Sequence, residues 1–421
     1  MIAKQKGLQV TKQFLICALL SIIALNSAML YAQKESLSKA HSTTKYTIQP
    51  SKSWTTLFYR QKGWTGGDGI YSIQLPPDFQ NPLAKKGKKN ILFLFSDSII
   101  DTLLDGEQTN NGFTMIHNAV AVLNGLKPDH SQMHFHWRTK DSKKPASVFM
   151  PTDQQKQKDP PADDSIYYWL GDGIALQNKK NKQAEDTALA IFAYKMINTS
   201  SEPFGFKDIE NDLLLTDARF KILKQIPLPF IAEGNFGAAI FREKNIRKDR
   251  TQTTKNDTDY IYIYGVRGRQ KGLIIARTKE NELTNPDQWE YYTGTNWVKD
   301  INQCKDITTN VSNELSLTRM PDGQYALIYQ LDGIQPYIGM KLAPAPYGPF
   351  SNMDTLWHCT EPTATNKLLV YNAKAHPSLS PAGKLLISYN VNSLDFLNKL
   401  KAEPTFYRPR FLLLTWAKAT H

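Results

Sequence analysis

Apolar runs of five to seven residues recur along the chain, separated by Gly, Pro, Asn and Asp. They are Asn90–Phe95, Ala188–Tyr194, Tyr260–Gly265, Tyr325–Tyr329 and Lys384–Tyr389. Their length and their β-branched and aromatic content predict strands. Beyond an apolar leader, no dozen residues keep a convincing helical period, so the pattern predicts an all-β fold.

Each run follows a more polar or small-residue segment across a turn. These segments are Asp68–Leu75, Gly171–Leu176, Gly237–Phe241, Glu314–Thr318 and His376–Ser380, giving five units. Two units share a third element, Leu273–Arg277 ending in Trp289–Tyr291 and Tyr337–Met340 ending in Tyr347–Phe350. Repeated sheets with one strand of each near an axis predict a five-bladed β-propeller over residues 54–421, behind a flexible lead-in at 33–53. A β-sandwich is the alternative, but it does not call for five similar units. The Lys/Pro/Asp-rich stretch 139–164 is the main insertion.

The first 32 residues stand apart. Lys4, Lys6 and Lys12 form a basic start, Phe14–Leu25 an apolar core, and Leu30-Tyr31-Ala32 precedes Gln33. This is the pattern of a cleaved secretory signal and predicts a secreted or periplasmic protein. Cys17 lies mid-core behind Ile16, where a lipoprotein signal needs a small residue, so lipidation is not expected. A retained anchor helix is the alternative to cleavage, and no other run is long enough to span a bilayer.

The net charge of +12 becomes +9 without the three leader lysines. Runs such as Lys85–Lys89 and Lys179–Lys182 lie between apolar segments, as solvated hairpin tips do. No recognition helix or nucleic-acid motif accompanies them, which argues against a nucleic-acid partner; a basic surface would still favour acidic glycans or anionic envelopes. Only Cys304 and Cys359 follow the leader. They can pair or stand as separate apolar thiols, and are too few for a disulfide framework or a zinc site.

Innermost strands of a propeller line a central funnel, so polar residues at their starts converge from distant sequence positions. Asp68, in Gly66-Gly67-Asp68-Gly69, opens unit one, and Asp97, in Phe95-Ser96-Asp97-Ser98, ends the neighbouring strand. Asp172 opens unit two, Glu233 precedes unit three, Glu314 opens unit four and His376 opens unit five. Glycoside hydrolysis needs such a set, with one protonated carboxyl for the leaving oxygen and one carboxylate as nucleophile or base. Clustered acids raise one another's pKa, which separates the two roles. Trp64, Tyr71, Trp169 and Tyr337 are candidates for stacking on sugar faces.

Aspartate beside glycine is first of all a turn residue. Asp68 and Asp97 stand out because they abut apolar strands. His134 and His136 share a strand face without a third ligand, which points to an exposed hairpin rather than zinc. A Ser nucleophile elbow, a phosphate-cradling loop and a zinc motif are all missing. No cofactor is required; a calcium ion in the funnel is compatible with the acids, but no ligand set is diagnostic.

Gly63–Gly69 followed by Leu94–Ser98 resembles the opening of a group of secreted bacterial propeller domains of unknown function. That group is similar to the five-bladed arabinanases, levansucrases and invertases, and some relatives are endo-acting on D-arabinan. The likeness continues through Trp169–Gly173, Phe236–Ala239, Tyr262–Gly265, Ala276-Arg277, Glu314–Arg319, His376–Ser380 and Leu386–Asn390, nearly the whole mature chain. It implies that Asp68 and Asp97 are the catalytic pair, and that Glu314 or Glu233 is a third acid. Ser96 replaces a usual glycine, and a Lys-rich hairpin separates the two motifs.

The expectation is therefore an exported, monomeric glycoside hydrolase acting on a polysaccharide or oligosaccharide, on arabinan or another furanose-containing glycan. Asp68 and Asp97 are the working pair, and Trp64, Asp172, Glu233, Glu314, His376 and Arg410 bind sugar or tune pKa. The alternative is a non-catalytic glycan-binding or scaffold propeller of the cell envelope, whose acids diverge or are tied up by Arg and Lys.

Overall fold

Each of the five apolar runs is the second strand of a separate antiparallel sheet in the computed structural model. The structure describes residues 46–416 except 105–106, 109–111, 140–143, 152–165, 177–187, 201–204, 244–259 and 365–366. The leader and its cleavage point, the lysines at 179–182 and most of the 139–164 insertion lie outside the described residues.

Blade I comprises Tyr71–Leu75, Asn90–Phe95, Ala119–Asn124 and Met133–His136. Blade II comprises Ile166–Ala175, Leu189–Asn198, Phe206–Thr216 and Ile222–Pro227. Blade III comprises Gly234–Arg242, Tyr260–Arg267, Gly272–Lys279, Glu290–Tyr292 and Trp297–Val298. Blade IV comprises Leu315–Arg319, Tyr325–Gln330, Tyr337–Ala343 and Asp354–His358. Blade V takes Leu368–Ala375, Lys384–Ser393 and Arg410–Trp416 from the C-terminal end and Tyr46–Pro50 from the start of the described chain.

Strand periodicity explains the apolar runs. Alternate side chains leave opposite faces of a strand, and here each face meets a different neighbouring blade. Leu92 and Leu94 join a hydrophobic cluster with Tyr168, Leu170 and Leu214 of blade II. Ile91, Phe93 and Phe95 join another with Leu386 and Phe411 of blade V. Three further clusters fill the gaps between blades II and III, III and IV, and IV and V. Second strands are thus covered on both sides and read as continuous apolar runs.

Hydrogen bonds cross every gap. Leu170 N donates to Ser96 Oγ (3.1 Å) and Ile240 N to Asp172 Oδ2 (2.9 Å). Tyr264 Oη donates to Pro346 O (2.8 Å) and Ala375 N to Ser316 Oγ (2.7 Å). His376 Nδ1 meets Ser72 Oγ at 2.8 Å, joining blade V to blade I. The ring is a five-bladed β-propeller. Its closure is made by Tyr46–Pro50, which pairs antiparallel with the last strand from Tyr46↔Trp416 to Pro50↔Leu412.

Two boundaries differ from the sequence expectation. The lead-in ends before residue 46, because Tyr46–Pro50 is a closing strand and Lys52–Leu57 a short helix buried through Trp54 and Leu57. In unit five the inner strand is Leu368–Ala375, and His376 follows it into a 3₁₀ turn at Pro377–Leu379. Pro377 lacks the N–H that a ladder position needs, so the segment beginning at His376 turns instead of pairing. Cys304 and Cys359 are both buried and free, in different clusters. Among the described residues no helix is long and apolar enough to cross a membrane.

Candidate active site

The glycines around Asp68 are required by crowding. A side chain at Gly66 would stand 2.6 Å from the Tyr407 carbonyl, and one at Gly67 2.8 Å from the Asp97 carbonyl. Gly67 N donates to Tyr407 O (2.9 Å), and Asp68 N donates to Asp97 O (3.1 Å). Ser96 N in turn donates to Asp68 O (2.9 Å). Removing the side chains lets three backbone segments meet, and that meeting places Asp68 and Asp97 side by side.

The two carboxyls have different surroundings. Tyr371 Oη donates to Asp68 Oδ2 at 2.6 Å, and Tyr407 donates to the same carboxyl. Burial, then the Asp97 charge, push Asp68 up to about 7, outweighing the phenols, which favour the charged form. Burial and the Asp68 charge push both phenols well up, so they remain donors. Asp97 Oδ1 accepts from Trp169 Nε1 (2.9 Å) and meets His117 Nδ1 (3.1 Å), while His117 stacks on Tyr167 with ring centroids 3.6 Å apart. Both contacts fall on Oδ1, and among the described residues Oδ2 has no side-chain partner.

Glu314 and Asp172 continue the acid group around the axis. The Glu314 charge acts on both Asp68 and Asp172. Asn372 Nδ2 donates to Glu314 Oε1 (2.7 Å), and Lys374 Nζ lies 2.5 Å from Oε2. Burial pushes Glu314 above its ordinary value, and Lys374 offsets this only in part. Asp172 is held by Gly173 N (2.8 Å) and Ile240 N (2.9 Å), and burial pushes it up to about 7. Inner strands of blades II and V shift register at Leu170/Gly173 and Tyr371/Lys374. Such bulges re-aim side chains, and they carry Asp172 and Asn372. A cavity of about 270 Å³ lies beyond, lined from all five blades, including Tyr71, Asp172, Arg242, Ser316 and Lys374.

Four expected residues do not join this group. Trp64 is 1% exposed, stacked on Phe135 at 4.8 Å and donating to Ser98 Oγ (3.1 Å), so it is core and not a sugar platform. His376 is fully buried between Ser72 and Ser388, and burial pushes it down to about 3. It is a neutral clasp at the far end of its strand. Glu233 is exposed at a left-handed turn (φ 56°), its carbonyl accepting from Gly268 N (2.9 Å). Arg410 donates to the carbonyls of Arg408 (2.8 Å) and Phe406 (3.4 Å), bracing the loop that carries Tyr407. Of the other stacking candidates, Tyr71 is buried, whereas Trp169 and Tyr337 are half-buried.

Tyr371, Tyr407, His117, Asn372 and Lys374 escaped the sequence reading. A signal existed for one pair: Asn372 and Lys374 interrupt the apolar alternation of Leu368–Ala375. Among the described residues no group of three or more His, Cys, Asp and Glu has metal-holding geometry. Beside Glu314 the cation is already supplied by the Lys374 ammonium, 2.5 Å from Oε2.

The family model described as Domain of unknown function (DUF5005) matches residues 51–416. The chain belongs to this family. The DUF5005 chain is similar to a solved structure from Bacteroides ovatus ATCC 8483, a protein proposed to be a hydrolase. Identity is 18%, the TM-score is 0.64, and 89% of this chain and 92% of that one are covered. This likeness bears on the fold. A GH43 β-xylosidase/α-arabinofuranosidase from a compost microbial metagenome, solved with xylotriose, matches at 13% identity and TM-score 0.38, covering 89% and 95%. The catalytic domain of a Coprinopsis cinerea GH62 α-L-arabinofuranosidase matches at 8% and 0.41, covering 90% and 98%. Among curated proteins no sequence match is found.

Proposed function

We propose that this DUF5005 protein is an exported glycoside hydrolase acting on a polysaccharide, with arabinan and other furanose-containing glycans as first candidates. The observation that carries this is the unequal carboxyl pair. Asp68 keeps its proton near neutrality, while Asp97, on the adjoining backbone, has one oxygen held by Trp169 and His117 and, among the described residues, no side-chain partner on the other. Asp68 would give its proton to the leaving glycosidic oxygen. Asp97 would attack the anomeric carbon or take a proton from the attacking water. Carboxyl separations of about 5–5.5 Å go with retention and about 6.5–9.5 Å with inversion, which NMR of the first-formed anomer distinguishes.

A glycan-binding propeller would have its acids tied up by Arg and Lys. That holds for Glu314 with Lys374, but among the described residues neither Asp68 nor Asp97 has an Arg or Lys partner. The test is turnover of arabinan, fructan, galactan and related polymers by wild type, Asp68→Asn and Asp97→Asn. We expect each substitution to lower kcat by about a hundredfold or more. Saccharide binding without turnover on any polymer would instead establish the binding module. The leader supports export, which N-terminal sequencing of protein recovered outside the cytoplasm checks.

A further inference from the structure

We infer that Lys374 is a positioning residue: its ammonium holds Glu314 as an anion on the propeller axis, and through that anion sets how tightly Asp68 keeps its proton. This rests on the hydrolase reading only for the use made of Asp68; the electrostatic arrangement stands apart from it.

Lysine is almost never fully buried without a partner, and Lys374 is 1% exposed. Its surroundings are built for a cation. Nζ lies 2.5 Å from Glu314 Oε2 and donates to Asn372 O at 3.1 Å, and it sits 4.6 Å from the centre of the Tyr71 ring. A carboxylate, a carbonyl and a ring face form a cage around it. Asn372 adopts a left-handed conformation (φ 61°) at the strand bulge, and its side chain holds the other Glu314 oxygen. Two residues of one irregular turn therefore clamp both oxygens of an acid on the neighbouring blade.

The groups facing Glu314 come from every side. Lys374 and Asn372 approach from blade V, Asp68 and Tyr71 from blade I, and Asp172 and Tyr194 from blade II. Lys374 alone among them favours the Glu314 anion by charge. Without it, burial and two neighbouring acids would drive Glu314 to take a proton. Asp68 would then lose the repelling charge of Glu314, which acts on it more strongly than the Lys374 charge removed with it. Removing a cation would thus lower the proton affinity of Asp68, the opposite of what loss of a directly contacting cation does.

The test is ¹³C NMR titration of the side-chain carboxyls in wild type, Lys374→Met, Lys374→Arg and Glu314→Gln. In Lys374→Met the Glu314 midpoint should rise by about one pH unit or more, while the Asp68 midpoint falls. Lys374→Arg should restore both. Glu314→Gln should lower the Asp68 midpoint on its own, which keeps the test alive if Lys374→Met does not fold. An unmoved Glu314 midpoint, or an Asp68 midpoint that rises or stays in Glu314→Gln, overturns the inference. The titration needs no substrate, so opposed shifts in a protein without turnover would reject the hydrolase and keep the clamp.

Discussion

Two phenols donate to Asp68 and both favour its carboxylate, yet burial and the Asp97 charge win and leave the group near 7. Deleting a donor should therefore raise Asp68 further. We expect Tyr371→Phe to move the alkaline limb of kcat/KM to higher pH; a limb that stays put or moves down would show that Asp68 is not the titrating acid. The same group affects stability with a definite sign. Folded Asp68 holds its proton up to about 7, whereas an unfolded aspartate loses it near 4. The native state is thus favoured at low pH and loses that advantage as pH rises from about 4 to 7. Asp68→Asn removes the charge, so its stabilisation should be greater at pH 8 than at pH 5, by on the order of 2–3 kcal/mol. Denaturant melts at the two pH values check this, and a gain larger at pH 5 contradicts it.

At the scale of elements, the segment Gly66–Gly69 works by absence of side chains. Gly67→Ala would drive a methyl group into the Asp97 carbonyl and the Trp64 ring. We expect a loss of about 1–3 kcal/mol together with weaker turnover, because the same contact that is strained positions both acids; full activity after this substitution would separate the glycines from the site. This packing also explains what could be read from sequence. The second strands were legible because both their faces are apolar. The inner strand of blade V was not, since Asn372 and Lys374 turn its polar side to the axis at a bulge. Asp68 and Asp97 announced themselves against apolar neighbours, but the Tyr371 contact spans 303 residues and has no local pattern. Trp64 and His376 misled for the converse reason: residue types common in sugar sites serve here as core and clasp.

At the scale of the molecule, stability depends on five interlocked gaps and one seam. The seam pairs Tyr46–Pro50 with Arg410–Trp416, and Tyr46 packs edge-on against Trp416 at 5.9 Å. Deleting residues 46–50 should cost roughly 2–4 kcal/mol from lost ladder bonds and lost burial of Tyr46 and Ile48. Thermal melts read this, and an unchanged Tm would mean that the ring closes without the strand. The effect should extend to Asp68, because Tyr407 sits on the loop leading into the strand at the seam.

The seam also fixes a schedule. One blade is shared between the beginning and the end of the described chain, so the ring stays open until the ribosome has passed residue 416. Pairings of such long sequence separation form late. A nascent chain arrested before Arg410 would remain protease-sensitive however much of the first four blades had emerged. Under the export proposed above, this delay would keep the chain threadable and postpone assembly to the far side of the membrane.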